Sequence, residues 1–452
     1  MLILRSVPAL NLLRKAGDST VVPDTLARGD DRALSVGGIS IPVLAEQYGT
    51  PLYLLDVETI VNRAKTWMAQ VSPHGTVYYA GKAFLCTAMV ELMDRLGVGV
   101  DVVSGGELAT ALGAGMSPQR LLFHGNVKTA AELAAAVSAP GLRVVVDSLE
   151  ELRALSAAAV RCPDNGPIAV LIRVTPGIEP DTHDYIKTGH DGSKFGFPIG
   201  EVAHAAVAEA LASPHIALAG YHAHIGSQVL DPAPMAETAR RLMRFAVEVW
   251  QQQGFWPQMV DVGGGVGVAY QPGADAPDIA QVVQAVVAVV AEATPPSLDR
   301  PRVAFEPGRS IVADSGLTVY RVEVVKQTPG GPTYCAVDGG MGDNIRPALY
   351  GAPYTADVAG PPRPGRATVT LAGRYCETGD LIIRDAVLPP VAVGDLVVVY
   401  TTGAYTHSMA SHYNRVPRPP VVAVWRGEAH LWVRGETFAD VRRQDVPLAW
   451  AL

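Results

Sequence analysis

From about Thr76 to Arg309 the chain alternates short β-branched runs with longer stretches in which apolar residues recur at three and four. The first pattern predicts strands and the second amphipathic helices. Strands are expected over residues 76–79, 98–103, 121–123, 143–146, 168–174, 217–223, 259–262 and 303–305. Helical spacing falls between them, over 91–95, 107–112, 131–137, 149–159, 202–211, 235–252 and 279–293. Strand–helix alternation repeated eight times predicts an α/β fold with a parallel (β/α)8 barrel. A doubly wound open sheet is the alternative, weakened because no GxGxxG turn directly follows the first strand.

After Arg309 the texture changes. Short β-like runs at 319–325, 334–337, 367–372, 381–384, 396–400, 421–425 and 429–433 are divided by Pro/Gly-rich loops such as 360–365 and 389–394. They predict a mostly antiparallel C-terminal β domain, sandwich-like or Greek-key-like. Short candidate strands at 33–36 and 39–42 are assigned to the same domain. The expected division is a barrel over 46–310 and a β domain over 1–45 and 311–452.

Composition narrows the function classes. The 452 residues carry a net charge of −8 and no run of Lys or Arg, which argues against nucleic acid and anionic membranes as partners. No uncharged apolar run reaches the roughly 18 residues of a membrane span, since Val282 to Val290 is interrupted by Gln284. The apolar stretch Met1 to Leu13 lacks the basic start and long apolar core of a signal peptide. Cys86, Cys162, Cys335 and Cys376 show no CxxC spacing, so a reducing cytoplasm is expected rather than a disulfide scaffold or zinc site.

A barrel of this type carries its chemistry at the C-terminal ends of its strands, and polar residues cluster there. Lys82 follows strand one, Asp101 ends strand two, His124-Gly-Asn126 follows strand three and Asp147-Ser148 strand four. Strand five carries Arg173, strand six gives His222, His224 and Ser227, strand seven gives Gly263–Gly265, and strand eight gives Glu306 and Arg309. Taken singly, each has a plain reading: a solvated lysine, a tight turn, a core histidine, a structural ion pair. Together they suggest more. Lys82 lies between an apolar strand and Ala83-Phe84-Leu85, a placement that favours a partly desolvated amine able to form a Schiff base. Three consecutive glycines after strand seven offer backbone N–H groups to a phosphate, and Arg309 adds a charge-assisted contact. A flat imidazole such as His224 can stack on a pyridine ring. A carboxylate such as Glu306 near the ring nitrogen would keep it protonated.

These residues carry a resemblance. Tyr-Ala-Gly-Lys82-Ala, His124-Gly-Asn-Val-Lys-Thr, Ser193-Lys-Phe-Gly, His224-Ile-Gly-Ser-Gln, Gly263-Gly-Gly and Glu306-Pro-Gly-Arg resemble the fold-type III pyridoxal-phosphate (PLP) decarboxylases, the alanine-racemase-like barrels. Val337-Asp-Gly-Gly-Met-Gly-Asp-Asn-Ile-Arg-Pro-Ala-Leu-Tyr-Gly, Cys376-Glu-Thr-Gly-Asp and Gly403-Ala-Tyr-Thr-His-Ser-Met-Ala-Ser-His-Tyr-Asn resemble the meso-diaminopimelate decarboxylases among them, which make L-lysine. The motifs run in unchanged order from about residue 45 to 430.

The resemblance implies roles. Lys82 would hold PLP covalently, His224 would stack on its ring, Arg173 would lie near the ring's face or phenolic edge, and Glu306 would contact the pyridine nitrogen. Ser227, Gly263, Gly264, Gly265, Gly308, Arg309 and Tyr405 would form the phosphate site. Arg309, Arg346, Tyr350 and Tyr405 would orient the substrate. Glu377 would take its distal ammonium, and Cys376 would be the proton donor. In this family Cys376 and Glu377 would serve the other subunit's site, which implies a homodimer. The sequence departs from the usual pattern at Arg374 before Tyr375-Cys376, at His412, and at Phe84.

Rival readings are a same-fold decarboxylase of ornithine, lysine, arginine, carboxynorspermidine or a carrier-bound amino acid, a racemase, and a PLP-binding protein without activity. Arg346 paired with Glu377 argues against the first, because a simple basic amino acid has no distal carboxylate. The Cys376-Glu377 segment argues against the second, and the motif-bearing β domain against the third. His124, His222 and His224 could be proposed as metal ligands, but no carboxylate partner is evident at ligand spacing.

Overall fold

The computed structural model describes residues 21–178 and 194–450, so Ser193 and residues 1–20 lie outside the described residues. The described chain divides into two compact units. One holds Val61–Val268 and Asp275–Ile311. The other holds the described chain up to Ile60, Ala269–Ala274, and the chain from Val312 onward.

The first unit is the barrel. Its strands are Gly75–Ala80, Gly99–Val102, Leu121–Phe123, Arg143–Val146, Ile168–Thr175, Ile216–His222, Met259–Asp261 and Arg302–Phe305. Each pairs in parallel with the next, and the last pairs with the first, so the ring closes. The strands read as near-continuous apolar runs because both faces are covered; Val144, Val146, Leu171 and Val260 are fully buried. A cluster of Tyr78, Leu122, Val145, Leu171, Met259 and Ala304 takes one residue from each of six strands. This is the layered side-chain filling of a closed barrel.

The connecting helices start where the sequence supplies caps. Ser104, Thr129 and Ser148 accept from the backbone N–H groups of Glu107, Glu132 and Glu151, which satisfies donors that a helix start leaves open. Each of these caps directly follows a strand-end loop, so the polar loops are pinned on both sides.

The second unit is a nine-stranded sheet that branches at the long strand Gly316–Gln327. That strand pairs antiparallel with Leu52–Asp56, Leu396–Tyr400 and Thr333–Val337. Most pairings are antiparallel, but two are parallel: Leu52–Asp56 with Val421–Trp425, and Thr333–Val337 with Ala367–Ala372. Leu52–Asp56 is buried along its whole length and lies in the interior of this sheet. The division between the units therefore falls at Ile60 rather than at the expected residue 46.

A three-stranded sheet of Ala27–Arg28, Leu34–Val36 and Ile39–Ser40 shares an apolar core with Leu52, Leu317, Val398 and Val422. The strand expected over 39–42 stops at Ser40. Pro42 opens helix Ile41–Tyr48 instead, where a missing backbone N–H leaves no bond unmade.

Candidate active site

The C-terminal strand ends of the barrel unit surround a cavity of about 310 Å³. Lys82, His124, Arg173, His222, His224 and Glu306 line it, together with Asn126 and Phe195. Five strand ends thus bring together residues spread over more than two hundred positions. Strand register explains part of this: Arg173, His222 and Asp261 are level on three neighbouring strands.

Lys82 sits in a single turn, Gly81–Ala83, directly after the first barrel strand. The Glu306-Pro-Gly-Arg309 loop packs on that turn. The Pro307 carbonyl accepts from Ala80 N–H at 3.0 Å. A Cβ on Gly308 would stand 3.0 Å from the Cβ atoms of both Ala80 and Ala83. The lysine turn and the arginine loop are therefore placed by each other.

Arg309, almost fully buried, donates to Ser227 Oγ at 2.8 Å. The glycine loop lies beside them. A Cβ on Gly265 would meet the Gly226 carbonyl oxygen at 2.2 Å, and one on Gly264 the Glu306 carbonyl oxygen at 2.0 Å. The loop is glycine because backbone from the sixth and eighth strand ends occupies the side-chain space. Gly263 N–H is already taken by Asp261 Oδ1 at 2.8 Å, and Gly264 N–H by His224 Nδ1 at 3.2 Å. The second bond also fixes the His224 ring, whose Nδ1 must be an acceptor there.

Glu306 is the charge centre of the cavity floor. Its Oε1 lies 2.6 Å from His124 Nε2, and its Oε2 lies 3.5 Å from His222 Nε2. Burial opposes ionisation of Glu306, while the imidazoles facing both of its oxygens favour the carboxylate as polar contacts rather than as charges, so its carboxyl lies below its usual range. Burial pushes His124 down to about 3 and also lowers His222 and His224, so all three rings are neutral at neutral pH. Burial and the Glu306 charge raise Asp101 and Asp261 well above the carboxylate range. Of three neighbouring acids, Glu306 keeps the negative charge.

Arg173 is fixed from both sides. Asp147 Oδ2 lies 3.4 Å from its Nη1, and the Phe195 ring lies 4.4 Å from its guanidinium carbon. Asp147 Oδ1 also accepts from Gly196 N–H at 2.8 Å. Asp147 was noted in the sequence only as a strand-end residue.

Arg346, Tyr350, Cys376, Glu377 and Tyr405 lie in the other unit. There Arg346 is buried and donates to the hydroxyls of Tyr270, at 3.0 Å, and Tyr354. Cys376 and Glu377 are exposed, and the Tyr413 hydroxyl donates to the Glu377 carboxylate. Tyr413 stacks on Tyr375 with ring centres 5.8 Å apart. Tyr405 has φ +60°, a left-handed backbone that a bulky side chain rarely adopts and that is retained where the surroundings over-determine it.

A carboxylate does join two of the candidate metal-binding histidines. Ligand atoms of His124, His222 and Glu306 lie within 4.8 Å of one another. The spacing of the sequence hid this because Glu306 arrives from the eighth strand.

A sequence profile described as the pyridoxal-dependent decarboxylase, pyridoxal binding domain, matches residues 57–313. The chain belongs to the pyridoxal-dependent decarboxylases. Diaminopimelate decarboxylase of Bacillus subtilis (strain 168) is 44% identical over 424 residues, covering 92% of this chain and 95% of that protein. The crystal structure of diaminopimelate decarboxylase from M. jannaschii is 32% identical with a TM-score of 0.89, and covers 94% of this chain and 98% of that one. The Helicobacter pylori enzyme complexed with L-lysine is 31% identical with a TM-score of 0.83, over 89% and 98% of the two chains.

The cavity fits the cofactor of these decarboxylases. Glu306 Oε1 is buried and has no well-aligned hydrogen-bond donor among the described residues, as an acceptor for a ring N–H should be. Lys82, Arg173 and Arg309 supply positive charge for an anionic phosphate and phenolate, and His224 offers a flat neutral face.

Proposed function

We propose that this chain is a PLP-dependent diaminopimelate decarboxylase, converting meso-2,6-diaminopimelate to L-lysine and CO2. The observation that carries this is the cavity that joins Lys82, His224 and Glu306 at the ends of three barrel strands, in a chain related to diaminopimelate decarboxylases over most of its length.

Lys82 would hold the cofactor through its amine and yield it to the substrate amine. Ser227, Gly265, Gly308, Arg309 and Tyr405 would hold the phosphate, with Gly263 and Gly264, whose N–H groups go to Asp261 and His224, shaping the loop that seats it, and Arg173 and His224 would hold the ring. When bound, PLP supplies an electron sink for the pair left behind as CO2 departs. Glu306 strengthens that sink, because an ionised carboxylate facing the ring nitrogen favours its protonated form.

The substrate has a carboxylate and an ammonium at its far end. Arg346 and Glu377 match them in charge, with Arg309, Tyr350 and Tyr405 orienting the rest. The tyrosine hydroxyls on Arg346 leave its cationic fork in one orientation, which suits bidentate contact with a carboxylate. Cys376 would deliver a proton to the substrate α-carbon after CO2 has left. Its exposure, and that of Glu377, is consistent with both serving the cavity of a second copy in a homodimer. The described cysteines are all free, which supports a reducing cytoplasm, and among the described residues no helix is long and apolar enough to cross a membrane.

The test is product analysis on purified, PLP-loaded protein given meso-diaminopimelate, L-lysine, L-ornithine and L-arginine in parallel. Lysine and CO2 from diaminopimelate alone are expected. A diamine or agmatine from one of the others would keep the cofactor assignment but overturn the roles of Arg346 and Glu377.

A further inference from the structure

Glu306 is approached from two strands at once. His124 follows the third barrel strand, His222 ends the sixth, and Glu306 follows the eighth. The two imidazoles face different oxygens of the carboxylate, at 2.6 and 3.5 Å, and the three side chains are only 6%, 1% and 2% exposed. The two rings meet edge to face with centres 4.7 Å apart, so neither swings without displacing the other.

The other groups around Glu306 make this arrangement necessary. Asp101 and Asp261 are fully buried acids beside it, and Arg173 and Lys82 are the nearby cations. Three carboxyl groups in one dry space compete for the negative charge, and the one with the best donors keeps it. His124 is a close polar contact of Glu306, at 2.6 Å. As a neutral ring it makes a polar contact without cancelling the charge. The contact is not a well-aligned hydrogen bond, so Oε1 keeps a lone pair for a second donor from the cavity.

We propose that His124, with His222 behind it, is a positioning residue that keeps the Glu306 carboxylate turned toward the cavity and thereby sets the protonation of the cofactor's ring nitrogen. This rests on the PLP reading above and assigns a role to two cavity-lining histidines to which that reading gives none. No bond is made or broken at either ring.

The experiment compares His124→Gln, whose amide nitrogen reaches about as far as Nε2, with His124→Asn, whose amide falls short. Both are loaded with PLP labelled with ¹⁵N at the ring nitrogen, and the ring-nitrogen NMR shift is read beside kcat and KM. For His124→Asn the expected result is a shift toward the unprotonated range with kcat down roughly 10–100-fold, the usual cost of losing an outer-layer partner, and KM nearly unchanged. His124→Gln should restore both. His222→Asn should move the shift the same way by less, which keeps the test open if His124→Asn folds poorly. A protonated ring nitrogen in both Asn variants, with folded protein and bound PLP, would overturn the proposal. Failure of the unaltered protein to take up PLP or release CO2 would instead overturn the function on which it rests.

Discussion

The Lys128 ammonium lies 2.7 Å from the Glu151 carboxylate, with the two side chains 1% and 5% exposed. Lys128 also donates to the carbonyls of Gly125 and Val145, and Glu151 accepts from the backbone N–H of Asp147. Asp147 in turn holds Arg173. The pair thus underpins one wall of the cavity without lining it. A buried ion broken on one side is costly, whereas replacing both partners by apolar groups is often neutral. Lys128→Met should therefore destabilise the protein by about 3–5 kcal/mol, read from the urea midpoint. Lys128→Met with Glu151→Leu should recover most of that loss.

A second relationship sets a pH dependence. Asp343 is fully buried and accepts from Gly340 N–H at 2.9 Å. Burial, against that bond, pushes its carboxyl up to about 7. An ordinary unfolded aspartate titrates near about 4, so the folded protein holds this proton more tightly. The stability it contributes is whole below about pH 4 and is lost as pH rises toward 7. Compared with Asp343→Asn, the native chain should lose stability across that window by up to about 1.4 kcal/mol per pH unit, and the difference should be flat above it. Urea unfolding of both proteins at several pH values checks this.

Gly264 tests the glycine loop. Its added methyl would meet the Glu306 carbonyl oxygen at 2.0 Å, so Gly264→Ala must push the eighth strand end away. A cost of about 1–3 kcal/mol is expected, together with weaker PLP uptake by titration. Gly113→Ala is the control: it ends helix Gly105–Gly113 with nothing within 4 Å. Equal effects of the two substitutions would count against a role for the loop in seating the cofactor.

The Tyr413 hydroxyl on Glu377 predicts a specific kinetic change. Tyr413→Phe keeps the stack on Tyr375 but frees the carboxylate. KM for diaminopimelate should rise roughly 3–10-fold, the scale of one exposed hydrogen bond to a charged group, with kcat changing less. Steady-state kinetics separates the two, and a change in kcat alone would assign Tyr413 elsewhere.

Shared sites make a further prediction. Lys82→Ala should lack the visible absorbance of bound PLP, and Cys376→Ala should turn over slowly with PLP retained. Mixed subunits of the two should regain part of the activity. No recovery after proven subunit exchange would mean that Cys376 serves its own chain.

Much of this was legible beforehand because the barrel's signals are local. Its strands are short apolar runs, most of them with β-branched residues, and 149–159 and 279–293 carry helical spacing from end to end. Lys82, His224 and Glu306 were legible as strand-end residues because a barrel gathers such ends at one place. Three things were not legible. Leu52–Asp56 is an apolar run like any barrel strand, and only its pairing with Gly316–Gln327 and Val421–Trp425 assigns it to the other unit. The contact of His124 with Glu306 joins the third and eighth strands, and no periodicity reports a distance across a barrel. The role of Asp147 was hidden for the same reason.

The placement of Leu52–Asp56 also dictates an order of assembly. The barrel strands follow one another in the chain, so their ring can close as soon as Arg302–Phe305 has been made. In the sheet of the other unit, Leu52–Asp56 is an edge strand until Val421–Trp425 arrives to flank it. During synthesis, an apolar segment made among the first must therefore wait unpaired on that side for one made among the last. A chain stalled before residue 421 would carry a finished barrel and an open sheet edge, the kind of surface that recruits other strands.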